Sequence, residues 1–573
     1  MQIKIDVASP QQQFISFEVT IPVLSDITDI YLPSWRPGRY QLGDFAKNIK
    51  SFYVFDDAGK RIAFEKISKA HWQVPSVNTE FIKVVYKYYA AELNAGSTYL
   101  DKTQLYVNPV NCTVFSDAAA AQPITISFSL PSHWDYAGPL KLENNCLKAK
   151  HFDEWADSPF IFSEQIQKQS FQVRDTTFHI CFNGEVKPNW TKLLEDFELF
   201  ADKQIEKFME FPTSDYFFLF QILPYKIYHG VEHEQCTVIA LGPSYAVFEE
   251  LYVELLGVSS HELYHTWNVK AIRPYEMMPY DFKRENYTEL GYLAEGVTTY
   301  MGDLMLYKSG VFDFKQYKIE LEKQLQKHFD NFGRFNYSVA ASSFDTWLDG
   351  YEAGAPGRKV SIYTEGCLIA FMLDVFLLRA SDHQKSLDTV MRDLYFNFAK
   401  KGLGVKEEDF KLTIENYMGG SDLSWFFDQY IHGTKAYETL LMDCFEYLGL
   451  EIVTQPSSDL AAALLGLKLV PNPAQPHRLV VQQIYPGGPA DLAGMMLNDE
   501  ILGINDIAVT SADFSRWLKY FETDNKELTI NRKSKVHHLV LPENQRTFYQ
   551  QYKIEQLANP NKLQQSAFRA WSK

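Results

Sequence analysis

The chain has 573 residues, too many for one hydrophobic core, so its length points to three or four domains. Apolar residues make up 46% and charged ones 22%, the balance of a soluble globular protein, and an aromatic share of 15% predicts large cores and aromatic-lined clefts. The net charge of −17 argues against nucleic acid, whose binders present a basic face, and suits a cationic partner such as a free amine.

The chain opens Met1-Gln2-Ile3-Lys4-Ile5-Asp6-Val7, a strand pattern with neither a basic nor an apolar leader region, so no secretory signal is expected. Up to about residue 168 apolar residues alternate at period two. Ile15, Phe17, Val19 and Ile21 form one face, and Val84, Tyr86 and Tyr88, then Ile124, Ile126, Phe128 and Leu130, repeat it. These runs predict an antiparallel β domain, 1–168, read as a structural module without chemistry.

The segment 169–246 is predicted to be a β-containing subdomain with one helix, since Leu193, Leu194, Phe197, Phe200, Ala201, Ile205 and Phe208 follow helical spacing. The aromatic run Tyr216 to Leu223 reads as a buried strand. From 247 to 452 helical patterns dominate, beginning with Val247 to Leu256. The most apolar of them, Cys367 to Leu378, is interrupted by Asp374 and too short to span a bilayer, so no membrane partner is expected. A polar stretch at Gln455-Pro456-Ser457-Ser458 precedes a run of strands, 455–543, and a Gln-rich tail, 544–573, reads as docked or partly disordered. The six cysteines are scattered and form no CxxC pair, which removes a disulfide scaffold and a cysteine zinc site. The fold class expected is multidomain α+β, soluble and cytoplasmic.

The chemistry concentrates at His261-Glu262-Leu263-Tyr264-His265. Two histidines four apart on a helix are offset by about 40° and one turn, so both can face one ion. Glu262 lies about 100° around from His261, where it can flank a metal without binding it and act as a general base. Zinc in a catalytic site needs a third protein ligand and an open position. Glu285 and Glu289 lie in a polar loop, whereas Glu295 starts a helical pattern with apolar neighbours, so Glu295 is the expected ligand of one Zn2+ ion.

His261 to Lys270, with Ile272-Arg273-Pro274 after it, resembles the signature of the glycyl aminopeptidase family of zinc metallopeptidases. Ala294-Glu295-Gly296 with Tyr300 is similar to that family's third-ligand segment. Leu32-Pro33-Ser34-Trp35-Arg36-Pro37-Gly38-Arg39-Tyr40 is similar to its N-terminal β-domain motif. The resemblance implies a thermolysin-like catalytic domain and removal of a small N-terminal residue, such as glycine or alanine, from peptides with a free N-terminus. It also implies that Glu232, in His229-Gly230-Val231-Glu232-His233, binds the substrate amine on a strand that includes Gly230. Tyr363 would stabilise the tetrahedral intermediate. A carboxylate on a strand edge can hold an ammonium, and a phenol can donate to a developing oxyanion. The sequence departs from the family pattern in lacking a second glycine before or at Gly230.

Leu465 to Leu469, then Tyr485-Pro486-Gly487-Gly488-Pro489, then Asp499 to Asn505, resemble a PDZ domain, which implies a groove beside the Gly466 loop and a helix from Ala512 to Phe521. Such a groove takes a peptide or chain terminus. Two other readings stay open: a zinc endopeptidase, and a PDZ-based adaptor with an inactive metal site.

Overall fold

The computed structural model describes residues 1–352 and 354–573. The chain divides into two units: Met1–Glu320 with Gly333–Cys444 and Ser566–Lys573, and Leu321–Phe332 with Phe445–Gln565.

The first unit begins with the β domain. Strand Phe14–Pro22 buries Ile15, Phe17, Val19 and Ile21 and turns its alternate residues outward, as a half-buried strand must. It lies inside a seven-stranded sheet, flanked by Gln2–Asp6 and Phe81–Tyr89. The sheet is not wholly antiparallel as expected: Gln2–Asp6 pairs in parallel with Ile124–Ser129. A parallel pair needs a crossover too long to show in local periodicity, and the hundred-odd residues between these strands supply it. Smaller sheets of three and four strands complete the domain, around a core that includes Trp72, Trp155 and Phe160.

A five-stranded mixed sheet follows, in the order Gln167–Val173, Thr176–Asn183, Asp215–Ile222, Cys236–Gly242, Ile227–Glu232. The last of these is an edge strand, antiparallel to its neighbour, so one row of its backbone groups is unpaired within the sheet. Helix Trp190–Phe208 buries Leu193, Phe197, Phe200, Ala201, Ile205 and Phe208. The helix expected from Val247 starts only at Tyr252 and runs to Tyr264, because residues 244–251 form a short 3₁₀ segment and turns. Two further helices build the site: Val297–Lys308, which a π-helical turn at Tyr292–Gly296 precedes, and Ile362–Ala380. None of the described helices is long and apolar enough to cross a membrane.

Trp571, near the chain end, is buried in this unit and donates its Nε1 hydrogen to the Tyr300 hydroxyl at 2.8 Å. Helix Lys562–Trp571 carries it, so the residues after 561 are ordered by an aromatic anchor that their polar composition conceals.

The second unit holds a six-stranded sheet built from Leu467–Asn472, Gln475–Ile484, Glu500–Ile504, Ile507–Ala508, Lys526–Arg532 and Lys535–Leu541. Helix Phe514–Tyr520 packs Phe514 and Leu518 into a core with Leu467, Val481, Ile501 and Leu528. Gly466, at φ +69°, makes the turn into the first strand. Strand Gln551–Gln556 pairs with Leu450–Gln455.

Candidate metal centre

Helix Tyr252–Tyr264 carries His261 and Glu262, with His265 at its end. Two glycine approaches press its neighbours close. A Cβ at Gly302 would lie 2.9 Å from the His261 Cα, so only glycine lets helix Val297–Lys308 sit this near. Likewise a Cβ at Gly366 would lie 2.6 Å from the Tyr292 carbonyl oxygen, which brings helix Ile362–Ala380, bearing Tyr363, against the turn that holds Glu295.

These contacts gather the three expected ligands. The Nε2 atoms of His261 and His265 are 3.0 Å apart, and Glu295 Oε2 stands 3.9 Å from the first and 3.3 Å from the second. Bonds of about 2.0–2.2 Å meeting at a tetrahedral angle would set ligand atoms roughly 3.3 Å apart, so the residues fit a zinc ion. His265 and Glu295 are buried, while the His261 side chain keeps 21% of its surface accessible. The His265 Nδ1 hydrogen is donated to the Asn268 carbonyl at 2.7 Å, which turns Nε2 toward Glu295. Asn268 in turn donates its Nδ2 hydrogens to the carbonyls of Leu293 and Ala294 and to Thr298 Oγ1, joining the histidine loop to the third-ligand turn. Glu285 and Glu289 belong to no such cluster among the described residues.

The electrostatics also call for a cation. Burial opposes protonation of His265, yet the carboxylates of Glu295, Glu232 and Glu262 outweigh it and push its pKa up to about 10. Burial and the neighbouring His265 keep His261 well below the usual imidazole value, so it is neutral. A divalent ion would satisfy the same carboxylates in place of the proton.

Glu262 and Glu232 form a second cluster with His265, its ligand-type atoms again within 4.8 Å of one another. Burial, reinforced by Glu232 and Glu295, raises the Glu262 pKa well above the carboxylate range, against the pull of His265. Its Oε2 makes no hydrogen bond to another protein group. Glu232 and Gly230 lie on the edge strand Ile227–Glu232, and Gly230 backs directly on Glu262. Tyr363 is bonded hydroxyl to hydroxyl with Tyr351, and burial together with Glu295 keeps its phenol protonated far beyond neutral pH.

The expectation that the β domain contributes no chemistry is corrected here. Tyr40 is buried, and its phenol lies close enough to the Glu295 carboxylate to stabilise the charged form. Gly38, at φ +80°, sets its backbone on Glu232, where a Cβ would stand 2.5 Å from Oε2. Half-buried Asp157 accepts from Lys270 Nζ at 2.9 Å and from the Glu234 amide at 2.8 Å, and its Oδ1 is paired with His233 Nδ1 at 3.0 Å. Through that clamp one β-domain residue ties down both the chain next to Glu232 and the segment after His265. The motif Trp35-Arg36-Pro37-Gly38-Arg39-Tyr40 was the available signal, but nothing in its local pattern says which carboxylates it meets.

Comparison with known proteins agrees with this architecture. The family model for the Peptidase M61 N-terminal domain matches residues 2–164, and the model for the M61 glycyl aminopeptidase matches residues 254–369. No curated protein matches the chain. Among solved structures, an aminopeptidase N family protein from Idiomarina loihiensis shares the fold at a TM-score of 0.90 and 24% identity, covering 100% of both chains. An M1 zinc metallopeptidase from Deinococcus radiodurans gives a TM-score of 0.48 at 12% identity, covering 76% of this chain and 94% of that one. A yeast LTA4 hydrolase gives 0.45 at 14%, covering 75% and 67%. The chain thus resembles the M61 glycyl aminopeptidases in two separate segments, one matching the N-terminal domain and one the peptidase domain of that family.

Proposed function

We propose that the chain is a zinc-dependent aminopeptidase that removes one N-terminal residue, a small one such as glycine or alanine, from peptides with a free amine. The observation that carries this reading is the pairing of two overlapping clusters, His261–His265–Glu295 and Glu232–Glu262–His265. The first is a ligand set for one ion. The second puts a carboxylate beyond the general base, as an exopeptidase needs and an endopeptidase does not.

A zinc ion on His261, His265 and Glu295 would polarise the scissile carbonyl and acidify a water. Glu262 takes the proton of the attacking water and delivers it to the leaving amine; its raised pKa suits both halves of that transfer. Tyr363 donates its phenolic hydrogen to the oxyanion, a contribution of about 2–4 kcal/mol in a dry site. Glu232 holds the ammonium, and the edge strand around Gly230 offers backbone groups to the substrate. Acetylating the substrate's N-terminus should abolish turnover, and a chelator should do the same. An acetylated peptide cleaved as fast as the free one would favour the endopeptidase reading.

The segment 455–543 is proposed to be a PDZ domain, supported by its six-stranded sheet and by the Gly466 turn into strand Leu467–Asn472. Its groove would run between that strand and helix Phe514–Tyr520 and take a chain terminus. A Glu262→Gln variant that kept full turnover would leave the adaptor reading standing. The site of action is proposed to be the cytoplasm.

A further inference from the structure

Beside the Glu232 side of the cleft lies a cavity of about 700 Å³, and its lining includes Arg36, Arg39, Gln41, Asn111 and Glu352. Arg36 is the unusual member. It is only 5% exposed, its Nη1 has no hydrogen-bond partner, and its guanidinium lies so flat on Gly96 that even a methyl group there would overlap it. Arg39 stands nearby, stacked 4.7 Å over the Tyr351 ring, with its Nε donated to Gln41 Oε1 at 2.9 Å. The cavity's own carboxylates are engaged elsewhere: Asp44 with Lys69, Glu92 with Asn94, and Glu352 with Gln41.

Two guanidinium groups thus line one cavity. Burying a cation without a hydrogen-bonded counterion is unfavourable, and proteins tolerate it where a ligand supplies the anion. The planar fork of arginine, held rigid against Gly96, is prepared for a carboxylate. Gly38, two residues after Arg36, sets its backbone on Glu232, so the cavity lies beside the proposed amine-binding carboxylate. With a substrate amine on Glu232, the C-terminus of a two- or three-residue peptide falls within roughly 5–10 Å of that amine.

We infer that the Arg36 cavity is an anion subsite that receives the C-terminal carboxylate of the peptide substrate. The inference rests on the peptide-cleaving reading and adds to it a substrate class: short, free-acid peptides.

The test uses the full chain loaded with zinc and four dipeptides: Ala-Ala-amide, Ala-Ala free acid, Gln-Ala-amide and Glu-Ala-amide. The expected result is a kcat/KM at least tenfold higher for Ala-Ala free acid than for Ala-Ala-amide. A preference for Glu over Gln without one for the free acid would overturn the assignment to the C-terminus. Arg36→Gln should erase the preference and Arg36→Lys should retain part of it. Arg39→Gln, which leaves the buried fork in place, should reduce it and covers the case in which Arg36→Gln does not fold. Equal values for acid and neutral peptides in the unaltered chain, or a preference that survives in Arg36→Gln, would overturn the inference. Calorimetric titration of the same peptides into Glu262→Gln separates this from the catalytic reading. Should no peptide be cleaved, the aminopeptidase proposal fails. Tighter binding of an acid peptide by tenfold or more would still support the subsite, and equal affinities would remove it.

Discussion

Gly230→Ala asks whether the edge strand sets the position of the general base. A Cβ built at Gly230 stands 2.7 Å from Glu262 Cδ and 3.0 Å from Cγ, and nearer still to Oε1, whereas ordinary contact begins at 3.4 Å. With Oε1 at 2.1 Å, strand and carboxylate must therefore separate by about 1.3 Å to restore ordinary contact. The strand is pinned along its length by the ladder to Cys236–Gly242, and Val231 is buried, so the glutamate is the group that yields. Misplacing a reacting group by about 1 Å costs on the order of 10²-fold, so kcat should fall roughly 30- to 100-fold, or about 2–2.7 kcal/mol. No ligand atom of His261, His265 or Glu295 is among the atoms the new methyl would meet, so zinc content should be unchanged. Overpacking adds a destabilisation of about 1–3 kcal/mol, which a thermal melt would register. Steady-state turnover of an unblocked peptide, measured beside metal analysis, decides the matter. A kcat within about threefold of the unaltered enzyme would refute the reasoning, because the carboxylate's placement would then not limit proton transfer.

Other substitutions test separate parts of the site. Tyr363→Phe removes a donor to the oxyanion and should lower kcat by about 10²-fold with KM nearly unchanged, as steady-state kinetics would show. Tyr40→Phe removes the phenolic hydroxyl beside the Glu295 carboxylate and should weaken zinc affinity by about 10- to 100-fold in a competitive chelator titration, although Tyr40 lies more than 200 residues away in the chain. Asp157→Asn should cost about 3–5 kcal/mol at pH 7, because Lys270 would keep its charge while buried. Burial raises the Asp157 pKa, but Lys270 and His233 overcome it and hold it below the usual carboxylate value. Stability from a depressed carboxylate is present above its unfolded pKa, about 3.9, and disappears as pH falls through the folded one. The gap between variant and parent in urea midpoint should accordingly be full at pH 7 and narrow below about pH 4.

Elements with their own periodicity could be read from the residues. The alternation at Ile15, Phe17, Val19 and Ile21 and the spacing from Leu193 to Phe208 state which face is buried, and burial follows. The His261-Glu262-x-x-His265 spacing works the same way, since one helix turn is enough to converge two rings. Glu295 needed a further argument, that a ligand belongs on a rigid element, and that argument separated it from Glu285 and Glu289. What stayed illegible depends on contacts between distant segments. Tyr40 reaching Glu295, Gly38 seating Glu232 and Asp157 clamping Lys270 are each decided by how the β domain packs on the sheet, and a single sequence carries no trace of that register. The parallel pairing of Gln2–Asp6 with Ile124–Ser129 was hidden for the same reason. Gly302 and Gly366 resemble ordinary helix interruptions until the helix pressed against each is known.

The convergence of two imidazoles and one carboxylate on a single ion is most directly tested by zinc stoichiometry, measured by elemental analysis of protein equilibrated with excess zinc and then desalted. One zinc per unaltered chain, reduced to near zero in Glu295→Ala and in His265→Ala, is the expected result. Unaltered protein that retains no zinc, or a Glu295→Ala variant that keeps a full equivalent, would contradict the proposed ligand set.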